Sequence, residues 1–322
     1  MGVALAIGAS VTLARPASPQ AASPRVAAPQ AASPQAAVPP QAGAFHSEVD
    51  LVSLTVTVSD ATGHYVTDLS KDDFSVLEDG VKQDLTFFSR TSLPLSLSLL
   101  VDTSASMDDK IATVRAAASR FVAHLRPEDQ AQLINFDSRV AVLLPFTSAH
   151  ANLDRAIASL SAGGSTALYN AVYIALKELK KSQATSADRL RRQAIVLLTD
   201  GQDSSSLVSF DEVVEQVKRS ETSVYAIGLT ARDSDIGKGY SEAAFVLRQI
   251  AGQSGGSVFF PRTVEDLPAI YTQIWQELSS QYLLGYASTN PRRDGKWRRV
   301  VAHADRAGTT ARTRQGYYGP SL

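Results

Sequence analysis

The first part of the chain alternates apolar and polar residues. From Phe45 to about Arg90 the alternation has the period of strands with one buried face. In VDLVSLTVTVSD the apolar face holds Val52, Leu54, Val56 and Val58. The stretch FSVLEDGVKQDLTFF predicts a hairpin that turns near Asp79 and Gly80. These segments predict antiparallel strands, which are too few to form a stable sandwich alone.

A second pattern begins near residue 93, where apolar strands alternate with stretches of helical period. The strands are predicted at 94–102, in DQAQLINFD, in VAVLLPF, in QAIVLLTDG, at 223–229 and at 256–260. The helices are predicted at 109–125, 167–181, 209–220, 241–253 and 264–281. The nearly continuous apolar run QAIVLLTDG is typical of a parallel strand covered on both faces. The alternation predicts an α/β fold, a doubly wound and mostly parallel sheet.

The end of the chain returns to strand patterns in QYLLGYAS, GKWRRVVAHAD and TTARTRQGYYG. We expect these strands to pair with those of the first part. The α/β domain, 93–281, is then inserted in a small antiparallel, sandwich-like β domain made of 44–92 and 282–320. Such insertions are feasible because the ends of a domain commonly lie close together. The arginines of these last strands predict a solvated face, and the alternative is a basic face for an acidic partner or a polyanionic envelope glycan.

The N-terminus predicts export. An apolar run from Val3 to about Ala14 is too short to span a bilayer and fits the core of a secretory signal. The basic residues that normally precede such a core are missing, which leaves open that 1–17 is only a remnant. Residues 18–43 repeat AASP and AAPQ and predict a disordered linker. We expect a secreted, periplasmic or envelope-associated protein, with no membrane insertion beyond the possible signal peptide.

Composition excludes several classes of function. With 31 basic and 32 acidic residues, the net charge is -1, which argues against nucleic acid as a partner. The absence of cysteine excludes thiol catalysis, thiolate zinc sites and disulfides.

Small oxygen-bearing side chains follow the predicted parallel strands. Asp102, Ser104 and Ser106 end the first strand, Thr166 lies in the loop SAGGSTALYNA, and Asp200 ends QAIVLLTDG. Functional clefts of open α/β sheets lie beyond the carboxyl ends of the strands, so we expect these residues to meet. Carboxylates and hydroxyls are hard ligands that suit Mg²⁺ or Mn²⁺.

This pattern, Asp-x-Ser-x-Ser with a distant Thr and a distant Asp-Gly, resembles the metal-ion-dependent adhesion site of the von Willebrand factor type A domain. The resemblance covers roughly 94–280. It implies that the two Ser and the Thr bind Mg²⁺ or Mn²⁺ directly, that the two Asp often act through water, and that a partner protein supplies a Glu or Asp carboxylate. The flanking DFSVLEDG and RQGYY are similar to bacterial secreted type A domain proteins of the acidobacterial kind.

Simpler interpretations of the same residues remain open. Ser104 and Ser106 can cap a helix that begins near Asp108, Thr166 can cap the next helix, and Asp200 can belong to an ordinary turn. Asp203 is expected to be an exposed loop residue.

The resemblance implies a non-enzymatic, metal-dependent protein-binding module. The alternatives are a metal-dependent hydrolase, since a metal at a strand end can activate water or phosphate, and a structural envelope protein with a vestigial metal site. Enzyme signatures of other classes, such as Asp-x-Asp at this strand end, a glycine-rich phosphate loop or Gly-x-Ser-x-Gly, are not apparent in the sequence.

Overall fold

The computed structural model describes residues 51–90, 93–183, 191–229 and 242–321. Its strands, in chain order, are β1 (Leu51–Asp60), β2 (Phe74–Glu78), β3 (Val81–Gln83), β4 (Leu85–Ser89), β5 (Leu95–Asp102), β6 (Gln130–Phe136), β7 (Val140–Thr147), β8 (Arg192–Thr199), β9 (Ser223–Gly228), β10 (Val258–Phe259), β11 (Tyr282–Ala287), β12 (Trp297–Ala304), β13 (Thr309–Arg312) and β14 (Gly316–Tyr318). Its α-helices are α1 (Ile111–Val122), α2 (His150–Ala158), α3 (Leu168–Ser182), α4 (Phe210–Arg219), α5 (Glu242–Ser254) and α6 (Leu267–Ser279).

The central sheet has the order β10-β9-β8-β5-β6-β7. All its neighbouring strands run parallel except β7, which pairs antiparallel with β6 at the edge. Every residue of β5 is buried, as expected for a strand covered on both faces. Residues of α1, α2 and α6 pack on one face and residues of α3, α4 and α5 on the other. The predicted doubly wound, mostly parallel α/β fold is confirmed.

Strands from the two ends of the chain pair with one another in two further sheets, β13-β1-β11-β4 and β14-β12-β2-β3. Strand β1 pairs antiparallel with β11, from Leu51 opposite Ala287 to Val56 opposite Tyr282. Strand β2 pairs with β12 in the same sense. The apolar face of β1 lies in a core cluster with Tyr282, Leu284 and Val300. The two ends thus bury each other's apolar faces, while the domain boundaries at 44–92 and 282–320 stay a prediction.

The predicted hairpin is correct only in its first half. Strands β2 and β3 pair around the turn at Asp79 and Gly80, both of which have positive φ. Strand β4 does not continue this hairpin, because it joins the other sheet beside β11. The alternation of side chains is the same in either sheet, so the pattern alone cannot tell to which sheet a strand belongs.

The helices depart from the prediction most at α2 and at the start of α6. Helix α2 was not predicted, since it buries only Leu153 and Ile157 and therefore shows a narrow apolar stripe. The last helix is preceded by a 3₁₀ turn at Val264–Asp266, and α6 begins at Leu267 with a proline in its first turn. Proline is tolerated there because the first amides of a helix have no intrahelical partner.

The two predicted N-terminal segments, 1–17 and 18–43, lie outside the described residues. None of the helices in the described ranges is long and apolar enough to cross a membrane.

A buried carboxylate joins α6 to the strands from the chain ends. Glu277 accepts hydrogen bonds from Thr57 Oγ1 (3.5 Å), Tyr65 OH (3.2 Å) and Ser257 Oγ (3.2 Å). It also forms an ion pair with Arg312 of β13. A buried charge needs such partners, so Glu277 ties the helix to β1 and β13.

Packing between β9 and the turn that precedes β10 permits no side chain at Gly256. A β-carbon there would lie 2.0 Å from the carbonyl oxygen of Val224, which belongs to the backbone of a central strand. Gly256→Ala is expected to lower the free energy of unfolding by about 3 kcal/mol, because the strand must shift to relieve the overlap.

The matched control is Gly163→Ala, since a β-carbon at Gly163 meets nothing within 4 Å. We expect this variant to stay within about 0.5 kcal/mol of the wild type in urea unfolding followed by circular dichroism. Equal unfolding midpoints for the two variants would contradict the close approach at Gly256.

Candidate metal site

The five predicted ligands lie together at the carboxyl ends of β5 and β8. Asp102 is the last residue of β5, and Ser104 and Ser106 follow in a 3₁₀ turn at Ala105–Met107. Thr166 lies just before α3, and Asp200 directly follows β8. Because β5 and β8 are parallel neighbours, their last residues meet at one edge of the sheet. Ser106 is exposed, whereas the other four are buried.

Hydrogen bonds connect three of these side chains. Ser104 Oγ and Ser106 Oγ are 3.1 Å apart, and Ser106 Oγ donates to Asp200 Oδ1 at 2.7 Å. Thr166 faces the residue after Asp200, because a β-carbon on Gly201 would lie 3.3 Å from Thr166 Oγ1. A side chain at Gly201 would therefore press on Thr166, which would have to give way slightly.

Asp102 is held from two sides. Its Oδ1 accepts from the amide of Ser104 at 2.8 Å, and its Oδ2 accepts from Thr199 Oγ1 at 2.6 Å. Burial raises the pKa of the Asp102 carboxyl, the bonds from Thr199 and Ser104 act in the opposite direction, and the charge of Asp200 raises it further. Two buried carboxylates thus lie close enough to repel each other. A cation between them would remove that repulsion.

The donors fit a hard divalent cation. Two carboxylates and three hydroxyls offer only oxygen, which is the ligand that Mg²⁺ and Mn²⁺ prefer. The described part of the chain contains no group of three or more His, Asp or Glu residues arranged to hold a metal. The carboxylates among the five predicted ligands are those of Asp102 and Asp200.

The interpretation of the hydroxyls as helix caps is wrong. Ser104 precedes the 3₁₀ turn, but its side chain makes no capping hydrogen bond. Helix α1 is preceded by Lys110 and α3 by Ala167, again without a side-chain cap. The hydroxyls of Ser104 and Ser106 therefore face each other and Asp200 instead of the helix amides.

Three neighbours of the site were not predicted from the sequence. Thr199 bonds to Asp102, Lys110 Nζ lies 2.8 Å from Asp200 Oδ2, and Ser204 Oγ accepts from the amide of Thr166 at 3.0 Å. Of these three, only Lys110 left a signal in the sequence, since it lies four residues after Ser106 and can reach back to the site. Thr199 gave none, because a threonine at the end of an apolar strand is common.

Asp203 is not the exposed loop residue that was expected. It is partly buried, and its Oδ1 accepts from the amide of Tyr169 (3.1 Å) and from Ser206 Oγ (2.6 Å). Asp203 thus connects the loop after β8, which carries Asp200, to the first turn of α3, which follows Thr166.

Comparison with known proteins finds one family. The model of the von Willebrand factor type A domain matches residues 97–273, more than half of the chain. The uncharacterized protein sll0103 of Synechocystis sp. is 27% identical over 195 residues, which cover 58% of this chain and 42% of that protein. The chain therefore spans less than half the length of this curated relative.

Several solved structures have a similar fold. The von Willebrand factor type A protein from Catenulispora acidiphila is 14% identical, with a TM-score of 0.49 over 86% of this chain and 76% of that one. The vWF domain of the type V pili tip protein Mfa5 from Porphyromonas gingivalis is 14% identical, with a TM-score of 0.48 over 58% and 95%. Proximal thread matrix protein 1 from the mussel byssus, with a zinc-occupied MIDAS motif, is 16% identical, with a TM-score of 0.46 over 62% and 49%. At such identities the similarity concerns the fold alone.

Proposed function

The chain belongs to the von Willebrand factor type A domain family, and from this premise we propose that it is a non-enzymatic protein-binding module that depends on a divalent metal ion. Domains of this family are commonly adhesion or protein-interaction modules. The observation that supports the proposal is the convergence of Asp102, Ser104, Ser106, Thr166 and Asp200 at one edge of the sheet.

In this proposal Ser104, Ser106 and Thr166 hold Mg²⁺ or Mn²⁺ directly, and Asp102 and Asp200 hold it through water. When bound, the ion supplies a coordination position for a Glu or Asp carboxylate of a partner protein. The three hydroxyls are neutral, so these residues leave more of the ion's charge uncompensated than a set of carboxylates would. A negatively charged side chain from outside is therefore attracted to the site.

The surroundings of the site also favour a protein partner. Ser106 is the exposed member of the set, so the site opens on its side. Leu207 is 95% exposed, and its amide donates to Asn170 Oδ1 in the first turn of α3, close to Thr166. Leu207 follows Asp200 on the loop after β8, and a partner protein bound at the site could cover its side chain.

The hydrolase alternative has less support. Both oxygens of Asp102 already accept hydrogen bonds, and Asp200 is bonded to Ser106 and Lys110. Both carboxylates are thus engaged by neighbouring residues of the protein, which favours a role in holding the site together over a role as a general base. Domains of the family are generally non-enzymatic.

We propose that the protein is secreted, periplasmic or associated with the cell envelope. The support is the apolar N-terminal run followed by a Pro- and Ala-rich stretch, together with the binding function itself.

Capture from an envelope extract tests the function. Immobilised wild-type protein is expected to retain a partner in about 2 mM Mg²⁺, which exceeds the roughly 10⁻³ M at which the weakest extracellular calcium sites bind their ion. It is expected to lose that partner in EDTA. Thr166→Val, which removes one neutral oxygen and keeps the shape, is expected to lose the same partner. Capture that withstands both EDTA and Thr166→Val would contradict a metal-bridged interface.

A further inference from the structure

A lysine lies among the proposed ligands. The Nζ of Lys110 is 2.8 Å from Asp200 Oδ2 and 2.5 Å from the carbonyl oxygen of Ser106. The side chain of Asp200 is only 3% exposed, while that of Lys110 is 25% exposed. A buried carboxylate without a counter-charge is strongly destabilising, so the ammonium stabilises Asp200 in this arrangement.

A second carboxylate lies within reach of the same ammonium. Asp109 Oδ1 is 3.2 Å from Lys110 Nζ, and the side chain of Asp109 is 80% exposed. The four-carbon stem of lysine is flexible, and its head can turn toward solvent while the stem stays against the protein. The ammonium of Lys110 therefore has one buried partner, Asp200, and one exposed partner, Asp109. A small movement of the lysine head toward solvent would break the contact with Asp200 and keep the one with Asp109.

We propose that Lys110 is an internal competitor of the metal ion, a proposal that rests on the proposed metal-binding function. The ammonium neutralises Asp200 in the metal-free protein, and Lys110 leaves Asp200 for Asp109 when a divalent cation binds. Both cations require the same carboxylate, and like charges a few ångströms apart repel each other. The affinity for the metal is lowered because the ion pair between Lys110 and Asp200 must be broken before the metal can bind.

The experiment is a titration with MnCl₂ by isothermal calorimetry at constant ionic strength. Lys110→Met keeps the apolar stem and removes the charge, and it is expected to bind Mn²⁺ about tenfold more tightly than the wild type. Lys110→Arg keeps the charge and is expected to stay within about threefold of the wild type. Lys180→Met is the control for net charge, because this exposed residue lies near the far end of α3, about 20 Å from Thr166.

A second measurement separates competition from a change in folding. Without metal, Lys110→Met is expected to unfold at a lower temperature than the wild type, because two buried carboxylates then lack a cation. With Mn²⁺ its unfolding temperature is expected to rise more than that of the wild type. Competition predicts a lower unfolding temperature without metal together with a larger rise on adding Mn²⁺. A general loss of packing would lower the unfolding temperature in both conditions and leave the rise no larger than that of the wild type.

The outcomes distinguish this proposal from the one on which it rests. If the wild type binds Mn²⁺ and Lys110→Met binds it no more tightly, the competition is wrong and the metal site stands. If neither protein binds Mn²⁺, the metal site itself is wrong and the proposal for Lys110 is wrong with it. A Lys180→Met variant that gains as much affinity as Lys110→Met would also overturn the proposal, because net charge alone would then explain the gain.

Discussion

Replacing Asp102 by asparagine is expected to weaken Mn²⁺ binding by at least about a hundredfold. The site has only two carboxylates, and Asp102→Asn removes the charge of one of them while keeping its shape. The fully buried side chain can still accept from the amide of Ser104, so the loss is expected in metal affinity rather than in folding. Calorimetry with MnCl₂ measures the affinity, and far-ultraviolet circular dichroism checks the fold.

Asp108→Asn is the matched control. Asp108 follows the same 3₁₀ turn but is exposed, so the removal of its charge is expected to change Mn²⁺ affinity by less than about threefold. An Asp102→Asn variant with the affinity of the wild type would show that Asp102 does not hold the metal. Equal losses in both variants would point to a general effect of negative charge.

Ending the chain after Gln281 is expected to unfold the strands that precede the α/β domain. The truncation removes β11, β12, β13 and β14, which provide the pairing partners of β1, β2 and β4. The apolar face of β1 then loses its cover, and each buried aliphatic side chain contributes about 1.5–3 kcal/mol. A remaining two-stranded hairpin of β2 and β3 is at best marginally stable in water.

Limited proteolysis followed by mass spectrometry measures this effect. Residues 51–90 are expected to be cleaved at once in the truncated protein and to be protected in the full chain. The matched control ends after Gly319, one residue beyond β14, and keeps every strand. A protected fragment of 51–90 from the truncated protein would contradict a β domain shared by the two ends of the chain.

Local patterns were sufficient for the parallel sheet and for the place of its site. The apolar run of β8 and the alternating face of β1 are periodic over a few residues, and periodicity of this kind depends only on backbone geometry. The ends of parallel strands necessarily lie at one edge, so Asp102 and Asp200 were expected to meet although they are far apart in the chain. Both residues do lie at that edge, where β5 and β8 end side by side, and their role as metal ligands stays a prediction.

Pairing between distant segments could not be read from such patterns. Strand β4 has the alternation of a hairpin arm but lies in the other sheet, because Leu85 and Phe88 pack in the core beside β11. Helix α2 escaped prediction for a related reason, since two buried residues make too short a stripe to be recognised. In both cases the decisive contacts are with residues that are remote in the chain.

Charged residues show most clearly what only the tertiary structure decided. The arginines after residue 290 predicted a solvated face, yet Arg298 is buried against Glu78, which also accepts from Tyr286 and Tyr317, and Arg312 pairs with Glu277. Arg298 and Glu78 are 220 residues apart, and Lys110 and Asp200 are 90 apart. A charge is stable in the interior only beside its partner, and the chain must fold before that partner is near.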